Sequence, residues 1–351
     1  MTTITTPIAI GDNLFNLTTI TTIITTTTRQ QSQPSSFNMK SFALIGAAGY
    51  IAPRHMKAIK ETGNNLVCAL DPYDGIGIMD SFFPDADFFT EPERFDRHLD
   101  KLHRIGEQKI DYVSICSPNY LHDAHIRMAL RNNCHAICEK PLVLNPWNLD
   151  ALQEIEKETG KRLFTILQLR LHAAIVQLKE QIEQGPKDKF YDIDLTYITS
   201  RGAWYMRSWK GNIEKSGGVA TNIGVHFFDM LTWIFGDSTE NIVHVSEPDH
   251  AAGLMQLKNA RVRWFLSINR NHLPEVAINT KKSTYRSITV DGKEVEFSDG
   301  FTDLHTLSYR QILDGKGYGL NDTRGSINIV QAIRTRKPVG KTGDYHPFLK
   351  K

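Results

Sequence analysis

The sequence predicts an α/β chain in two parts: a parallel sheet covered by helices on both faces, then an α+β unit with a large, mainly antiparallel, open-faced sheet. Two observations predict it. Between Ser41 and Leu167 short apolar runs alternate with longer amphipathic stretches, as successive strand-helix-strand units do. Beyond about Leu171 the period shortens to two, as in Asp192-Ile193-Asp194-Leu195-Thr196-Tyr197-Ile198, the mark of strands with one open face. At 351 residues the chain is long enough for two domains of ordinary size.

Residues 1–38 form a Thr/Ile-rich tract ending in Gln30-Gln31-Ser32-Gln33-Pro34-Ser35-Ser36, too polar to bury a core, and are expected to be a disordered, dispensable extension. The tract lacks the basic start and continuous apolar run of a secretory signal, and Met39, just before the first strand, is an alternative start. Residues 39–170 should hold strands at Phe42 to Ile45, Leu66 to Leu70, Tyr112 to Cys116, Ala136 to Cys138 and Leu163 to Leu167, each a short apolar run. The amphipathic stretches between them predict helices at Pro53 to Glu61, Pro92 to His103, Leu121 to Asn132 and Asn145 to Thr159.

Residues 171–320 begin with a helix at Ala173 to Gln184 and continue in alternating runs at Asp192 to Ile198, Arg261 to Ser267 and Ser287 to Val290. The turn Asp291-Gly292 makes a hairpin of the last run with Glu294 to Phe297. An apolar helix at Val219 to Phe235 interrupts the strands. Residues 321–351 comprise a helix at Asp322 to Arg336 and a tail, returning towards the first domain. A large sheet face with too few helices to cover it calls for a partner, so a homo-oligomer, dimer or tetramer, is expected.

Composition narrows the function classes. Hydrophobic residues make up 40% and charged residues 23%, and no stretch reaches the roughly 18 apolar residues of a membrane helix. Lys and Arg number 41 against 39 Asp and Glu, and a net charge of +2 offers no field for nucleic acid or an anionic membrane. An anionic ligand must be held by local groups. Cys68, Cys116, Cys134 and Cys138 lie in apolar runs without zinc-ligand spacing, so reduced core thiols, no metal and a cytoplasmic setting are expected.

Doubly wound sheets bind ligands beyond the carboxyl ends of their strands, and the motifs fall there. Gly46-Ala47-Ala48-Gly49-Tyr50-Ile51-Ala52 follows the first strand and opens a helix, so its glycines would let the backbone approach a pyrophosphate resting on the helix N-terminus. This reads as a Rossmann dinucleotide-binding domain with Gly46, Gly49, Tyr50 and Ile51 at the cofactor, although the spacing G-x-x-G-x-x-A leaves a purely structural turn open. Asp71 ends the second strand, where a carboxylate accepts from adenosine ribose hydroxyls and repels a 2′-phosphate. That favours NAD over NADP, unless Asp71 only caps the Pro72-Tyr73 turn. Ser117, Pro118, Asn119 and His122 stand at the same sheet edge, with Asn119 also a candidate helix cap. Glu139-Lys140-Pro141 closes the apolar run Cys134 to Cys138 and sets a lysine where the reactive end of the cofactor would lie. Downstream, Asn222 and His226 stand four apart, so on a helix an amide and an imidazole share one face.

With Gly46 to His55, Ser117 to His122, Glu139-Lys140-Pro141 and Gly218 to Asp229, the chain resembles the glucose-fructose oxidoreductase, inositol dehydrogenase and rhizopine catabolism (Gfo/Idh/MocA) family over about residues 39–348. The resemblance implies an NAD(P)-dependent sugar dehydrogenase with Lys140, His226 and Asn222 in catalysis and Glu139, Lys140 and Gln168 among the cofactor contacts. Thr199-Ser200-Arg201-Gly202, Ser208-Trp209-Lys210-Gly211 and Phe301-Thr302-Asp303-Leu304-His305-Thr306 are similar to the branch that oxidises the 3-hydroxyl of UDP-N-acetyl-2-amino-2-deoxy-D-glucuronate for surface polysaccharide. That branch implies a UDP-sugar uronate as substrate and, in some members, 2-oxoglutarate to reoxidise the bound nucleotide. A dehydrogenase of free sugars or inositol and a silent sensor of NAD and a sugar nucleotide are the alternatives. The presence of both Lys140 and His226 speaks against the sensor.

Many family members carry aspartate where Asn222 stands. Without that carboxylate His226 has no partner for its charged form and should be neutral near pH 7. A lysine at its reference pKa of about 10.4 is neutral in about one molecule in 2,500 at pH 7, a cost near ~4.6 kcal/mol, while an imidazole near about 6.5 costs almost nothing. His226 is therefore the expected base and charged Lys140 the group that orients the hydroxyl, with the reverse assignment open. A diphosphate and a carboxylate need cations, and Arg201, Arg207 and Lys210 cluster around Trp204, Tyr205 and Trp209. Arg170, Thr221, Lys140, Asn222 and His226 complete the expected substrate side, whereas Arg261, Arg263 and Arg286 could simply face solvent.

Overall fold

The alternating apolar runs of the first half become a sheet buried on both faces. The computed structural model describes residues 39–106, 109–297, 300 and 302–350, so the tract at 1–38 lies outside the described residues. In chain order β1 (Ser41–Ile45), α1 (Ala52–Glu61), β2 (Asn65–Leu70), β3 (Asp87–Phe89), α2 (Pro92–Ile105), β4 (Tyr112–Ile115), α3 (His122–Arg131), β5 (His135–Cys138), α4 (Pro146–Thr159) and β6 (Leu163–Thr165) build the first sheet. Its order is β3-β2-β1-β4-β5-β6, and every pairing is parallel. Phe42 and Leu44 pack on one face with Met56 and Ile59 of α1, and Ala43 and Ile45 on the other with Leu99 of α2 and Ile126 of α3. That two-sided burial is why β1 reads as a continuous apolar run. Proline opens α1, α2 and α4, and Gly106 and Gly160 end α2 and α4 in the left-handed conformation. β3 was not anticipated, because three residues at a sheet edge carry no readable period.

The second part runs α5 (Ala173–Gln184), β7 (Tyr191–Thr199), the short helices α6 (Trp204–Arg207) and α7 (Ile213–Ser216), a π turn at Ala220–Gly224, and α8 (Val225–Phe235). Then come β8 (Ser238–Ser246), β9 (His250–Leu257), β10 (Ala260–Ser267), α9 (Glu275–Asn279), β11 (Thr284–Val290) and β12 (Lys293–Glu294). The sheet order is β12-β11-β7-β10-β9-β8, antiparallel except for β7 with β10. One face buries Leu195, Met255 and Trp264 against Phe228 and Phe235 of α8. The sheet is therefore mixed and mostly antiparallel, with the apolar helix on one side.

Two last helices, α10 (Leu304–Leu313) and α11 (Leu320–Thr335), follow. α10 packs on α1, and α11 returns to the first sheet's side, where Ile327 joins its core and Arg334 donates to the Leu144 carbonyl. The tail does not return with it. Asp344 pairs with Arg261 and Arg263, and Phe348 stacks on Tyr285 and packs at a tilt against Phe265, so the tail lies across the second sheet's other face. Phe348 and Leu349 pack there with Ile198, Ala252 and Phe265 of the sheet and Ala277 of α9. The solvent-facing reading is corrected for Arg263, whose side chain is 14% exposed and also bonds Asp192 and Asp194, whereas Arg261 bonds Asp192 with its side chain still 42% exposed. Among the described residues no helix is long and apolar enough to cross a membrane.

Candidate active site

β1 lies between β2 and β4, so the winding reverses there and opens a crevice beyond the ends of β1 and β4. Gly46 stands at φ +89°, and a Cβ there would lie 2.7 Å from the Cys116 carbonyl carbon. Only glycine lets the turn pass the β4 loop so closely. Asp71 accepts from the Ala48 N–H and from the Tyr73 N–H, each at 2.9 Å. It therefore caps the following turn and also braces the glycine turn, and each carboxylate oxygen keeps a lone pair for a ribose hydroxyl. Among the described residues no group accepts from the Tyr50 or Ile51 N–H, which leaves two donors at the start of α1 for a pyrophosphate. These features fit a dinucleotide.

The loop after β4 is held differently from expectation. The two ring nitrogens of buried His122 lie 2.7 and 2.8 Å from the Pro141 and Ser117 carbonyl oxygens, and the single N–H of the neutral ring donates to one of them, which sets the ring between this loop and the Lys140 loop. Burial holds its pKa below the ordinary imidazole value, opposed by those two carbonyls. Ser117 Oγ pairs with His125 Nδ1 at 2.8 Å. Asn119 donates from Nδ2 to the Ser216 carbonyl at 2.9 Å and to Asn222 Oδ1 at 3.5 Å, joining the cofactor edge to the segment before α8.

Glu139 gathers partners from distant segments. Its Oε1 accepts from His55 Nε2 at 3.0 Å and His305 Nε2 at 2.9 Å, and its Oε2 from the Lys140 N–H at 3.2 Å. Burial works against its charge, yet the hydrogen bonds from His305 and His55 hold the carboxyl well below the usual range. The ligand atoms of this His-Glu-His group all lie within 4.8 Å of one another, a grouping that the absence of zinc spacing among the cysteines could not reveal.

Lys140, before a cis peptide to Pro141, donates from Nζ to the main-chain carbonyl of Asn222 at 3.2 Å. Asn222 lies in the π turn and His226 in the first turn of α8, so the segment is not the regular helix expected from a spacing of four. The Asn222 amide goes to the Tyr205 hydroxyl at 2.6 Å, and its carbonyl serves Lys140. Gly217 and Gly218, both at positive φ, lead into the turn. His226 keeps a partly exposed edge, and burial followed by the charge of Lys140 pushes its pKa well below the imidazole range. Burial also lowers the Lys140 amine; Glu139 opposes this, and Lys210 and Arg201 add to it. Lys140 thus acts on His226, and Lys210 and Arg201 act on Lys140.

Not every expected substrate residue joins this group. Arg170 is buried and makes two hydrogen bonds to Asp229, at 3.0 and 2.8 Å, and another to the Asp322 carbonyl at 2.7 Å. Burial pushes the Asp229 carboxyl up to about 6, against the guanidinium that favours its charged form. Arg170 is a core ion pair and not a substrate group. Thr221 is fully buried and gives its hydroxyl proton to the Gly217 carbonyl, while Tyr205 lies beneath the site at 2% exposure. Lys210 Nζ sits 5.5 Å from the Trp204 ring centre and 4.8 Å from that of Trp209, and Arg201 and Arg207 are exposed. Gln168 begins the turn after β6, at the same sheet edge as Lys140. His55, His125, His305 and Tyr309 were not anticipated in any role, since their partners lie far away in sequence or carry no spacing signal.

Residues 40–167 match the oxidoreductase family with the NAD-binding Rossmann fold, and residues 179–336 match that family's C-terminal alpha/beta domain. The structure of the WlbA (WbpB) dehydrogenase from Thermus thermophilus in complex with NAD and alpha-ketoglutarate is 52% identical, with a TM-score of 0.86 over 88% of this chain and 100% of that one. The same dehydrogenase in complex with NAD and UDP-GlcNAcA is 51% identical, with a TM-score of 0.85 over the same shares. The D-glucoside 3-dehydrogenase of Escherichia coli K12 is 24% identical over 262 residues, 66% of this chain and 71% of that protein.

Proposed function

The chain belongs to this NAD-binding oxidoreductase family, and from that premise we propose that it oxidises the 3-hydroxyl of UDP-N-acetyl-2-amino-2-deoxy-D-glucuronate to the 3-keto sugar. The observation that carries the reading is that Lys140 acts on His226 while Lys210 and Arg201 act on Lys140, which gathers cations around the Glu139 carboxylate. Such a group of cations suits a substrate bearing a diphosphate and a carboxylate. The Thermus complex with UDP-GlcNAcA, at 51% identity, supports the same substrate class.

Bound NAD would accept the hydride from C3. His226, neutral because burial depresses its pKa, takes the hydroxyl proton as general base. Lys140, braced on the Asn222 carbonyl, orients the hydroxyl and stabilises the developing alkoxide. Asn222 acts through its carbonyl and its bond to Tyr205, which keep the π turn in place. Lys210, held between two tryptophan rings, and Arg201 take the anionic parts of the substrate. Asp71 favours NAD by offering acceptors to the ribose hydroxyls. The Thermus complex with alpha-ketoglutarate supports 2-oxoglutarate as the oxidant that closes the cycle, becoming 2-hydroxyglutarate.

The test incubates the purified full chain with the UDP-uronate and NAD, with and without 2-oxoglutarate, and follows the 3-keto sugar and 2-hydroxyglutarate. Absence of both products under every NAD condition overturns the proposal. Turnover of free sugars or inositol without turnover of the UDP-uronate replaces it with the simpler dehydrogenase.

A further inference from the structure

The segment after β7 places an open aromatic surface at the outer end of the contacts that start at Lys140. Lys140 Nζ donates to the Asn222 carbonyl at 3.2 Å, and the Asn222 side-chain amide donates to the Tyr205 hydroxyl at 2.6 Å. Tyr205 is buried, but its neighbour Trp204, the first residue of α6, is 53% exposed. The two rings meet edge to face, with centres 5.8 Å apart and planes at 65°, so the indole has no stacking partner in Tyr205.

The surrounding backbone fixes what stands beside that ring. A Cβ at Gly211 would lie 2.6 Å from the Met206 Cα, so only glycine lets the turn at Trp209–Gly211 fold back on α6. Ser208 fastens the fold, donating to the Tyr205 carbonyl at 2.8 Å and accepting from the Lys210 N–H at 3.3 Å. Lys210 Nζ is thereby carried to 5.5 Å from the Trp204 ring centre. Burial and then Arg201 lower the Lys210 amine, and among the described residues no carboxylate pairs with it. An indole in water and an ammonium without an anion each lack a partner, and a planar base joined to a diphosphate supplies both. Trp209, on the other side of Lys210, is partly buried, so Trp204 presents the more open ring.

We propose that Trp204 is the nucleobase subsite, stacking on the uracil while Lys210 meets the diphosphate, and that it sets the preference for a nucleotide-linked sugar over a free one. This rests on the reading of the substrate as a UDP-uronate.

The experiment is isothermal titration calorimetry of the full chain with NAD, using UDP and dihydro-UDP, whose base keeps its hydrogen-bonding edge but is no longer planar. The wild type should bind UDP about tenfold more tightly than the dihydro form, the scale of one stack of a base on an aromatic ring. In Trp204→Leu the ratio should fall to about one, and in Trp204→Phe, which keeps a ring, it should stay above about threefold. Trp204→Leu should also raise KM for the UDP-uronate about tenfold while changing kcat less than about threefold. A ratio near one in the wild type overturns the inference, and this remains the test if Trp204→Leu does not fold. So does a ratio unchanged in Trp204→Leu, even where both affinities fall, since the ring would then only prop Lys210. A wild type that shows the ratio yet leaves the UDP-uronate unoxidised refutes the proposed reaction alone, and failure to bind either nucleotide removes both readings.

Discussion

The Lys140 ammonium rests on the main-chain carbonyl of Asn222, 3.2 Å away, and so ties the loop after β5 to the π turn before α8. One contact thereby joins the parallel-sheet half of the cleft to the half that carries His226. The backbone of Asn222, not its side chain, meets the lysine, so this contact does not depend on which side chain stands there.

Lys140→Met and His226→Asn should each lower turnover at least about a hundredfold, the low end for proton-transfer roles. NAD affinity, followed by quenching of protein fluorescence, should change little in His226→Asn. Near-normal turnover in either variant removes that residue from the mechanism.

Because burial and the Lys140 charge push His226 well below the imidazole range, the acid limb of kcat should fall below about pH 6.5, not at it. A stopped-flow pH profile checks this. An acid limb above the ordinary histidine range would contradict a buried neutral base.

Stability should follow the buried histidines. His125 and His346 are pushed down to about 4 by burial. Between that pH and about 6.5 the unfolded chain binds protons the folded chain refuses, so stability falls as pH falls, by about 3 kcal/mol for the pair between pH 6.5 and 5. Urea unfolding at the two pH values measures it, and His346→Phe should flatten the slope.

Asp71→Ala removes both the ribose acceptor and the brace on the Ala48 N–H. kcat/KM with NAD should drop at least about tenfold, one strong hydrogen bond to a charged group being worth about 1.5–3 kcal/mol. The ratio of NADP to NAD efficiency should rise. A variant with unchanged preference would reduce Asp71 to a turn cap.

Arg170→Leu leaves the Asp229 carboxyl buried without its partner. Thermal or urea unfolding should show a loss of about 3–5 kcal/mol. KM for the UDP-uronate should stay within about twofold if the fold survives at low temperature. A selective rise in KM at intact stability would return Arg170 to the substrate side.

Much of the frame was legible because it is local. The runs that became β1, β2, β4 and β5, the glycine turn at Gly46 and the helix Ala173–Gln184 follow from period, proline and glycine alone. The places of Lys140 and Asp71 just past strand ends were likewise readable, since a strand end announces where its next residue stands. The short edge strand β3 and the π turn were not, because neither repeats long enough to show a period. Nor were the partners of polar groups: Arg170 with Asp229, His122 with two carbonyls, Glu139 with His55 and His305. By itself the sequence determined a doubly wound domain with a dinucleotide turn and a second sheet. Only the tertiary structure decided which polar residues face the cleft. Burying a polar group is costly unless a partner meets it, and the partner is whatever the strand order brings within 3 Å or so, from positions scores of residues away.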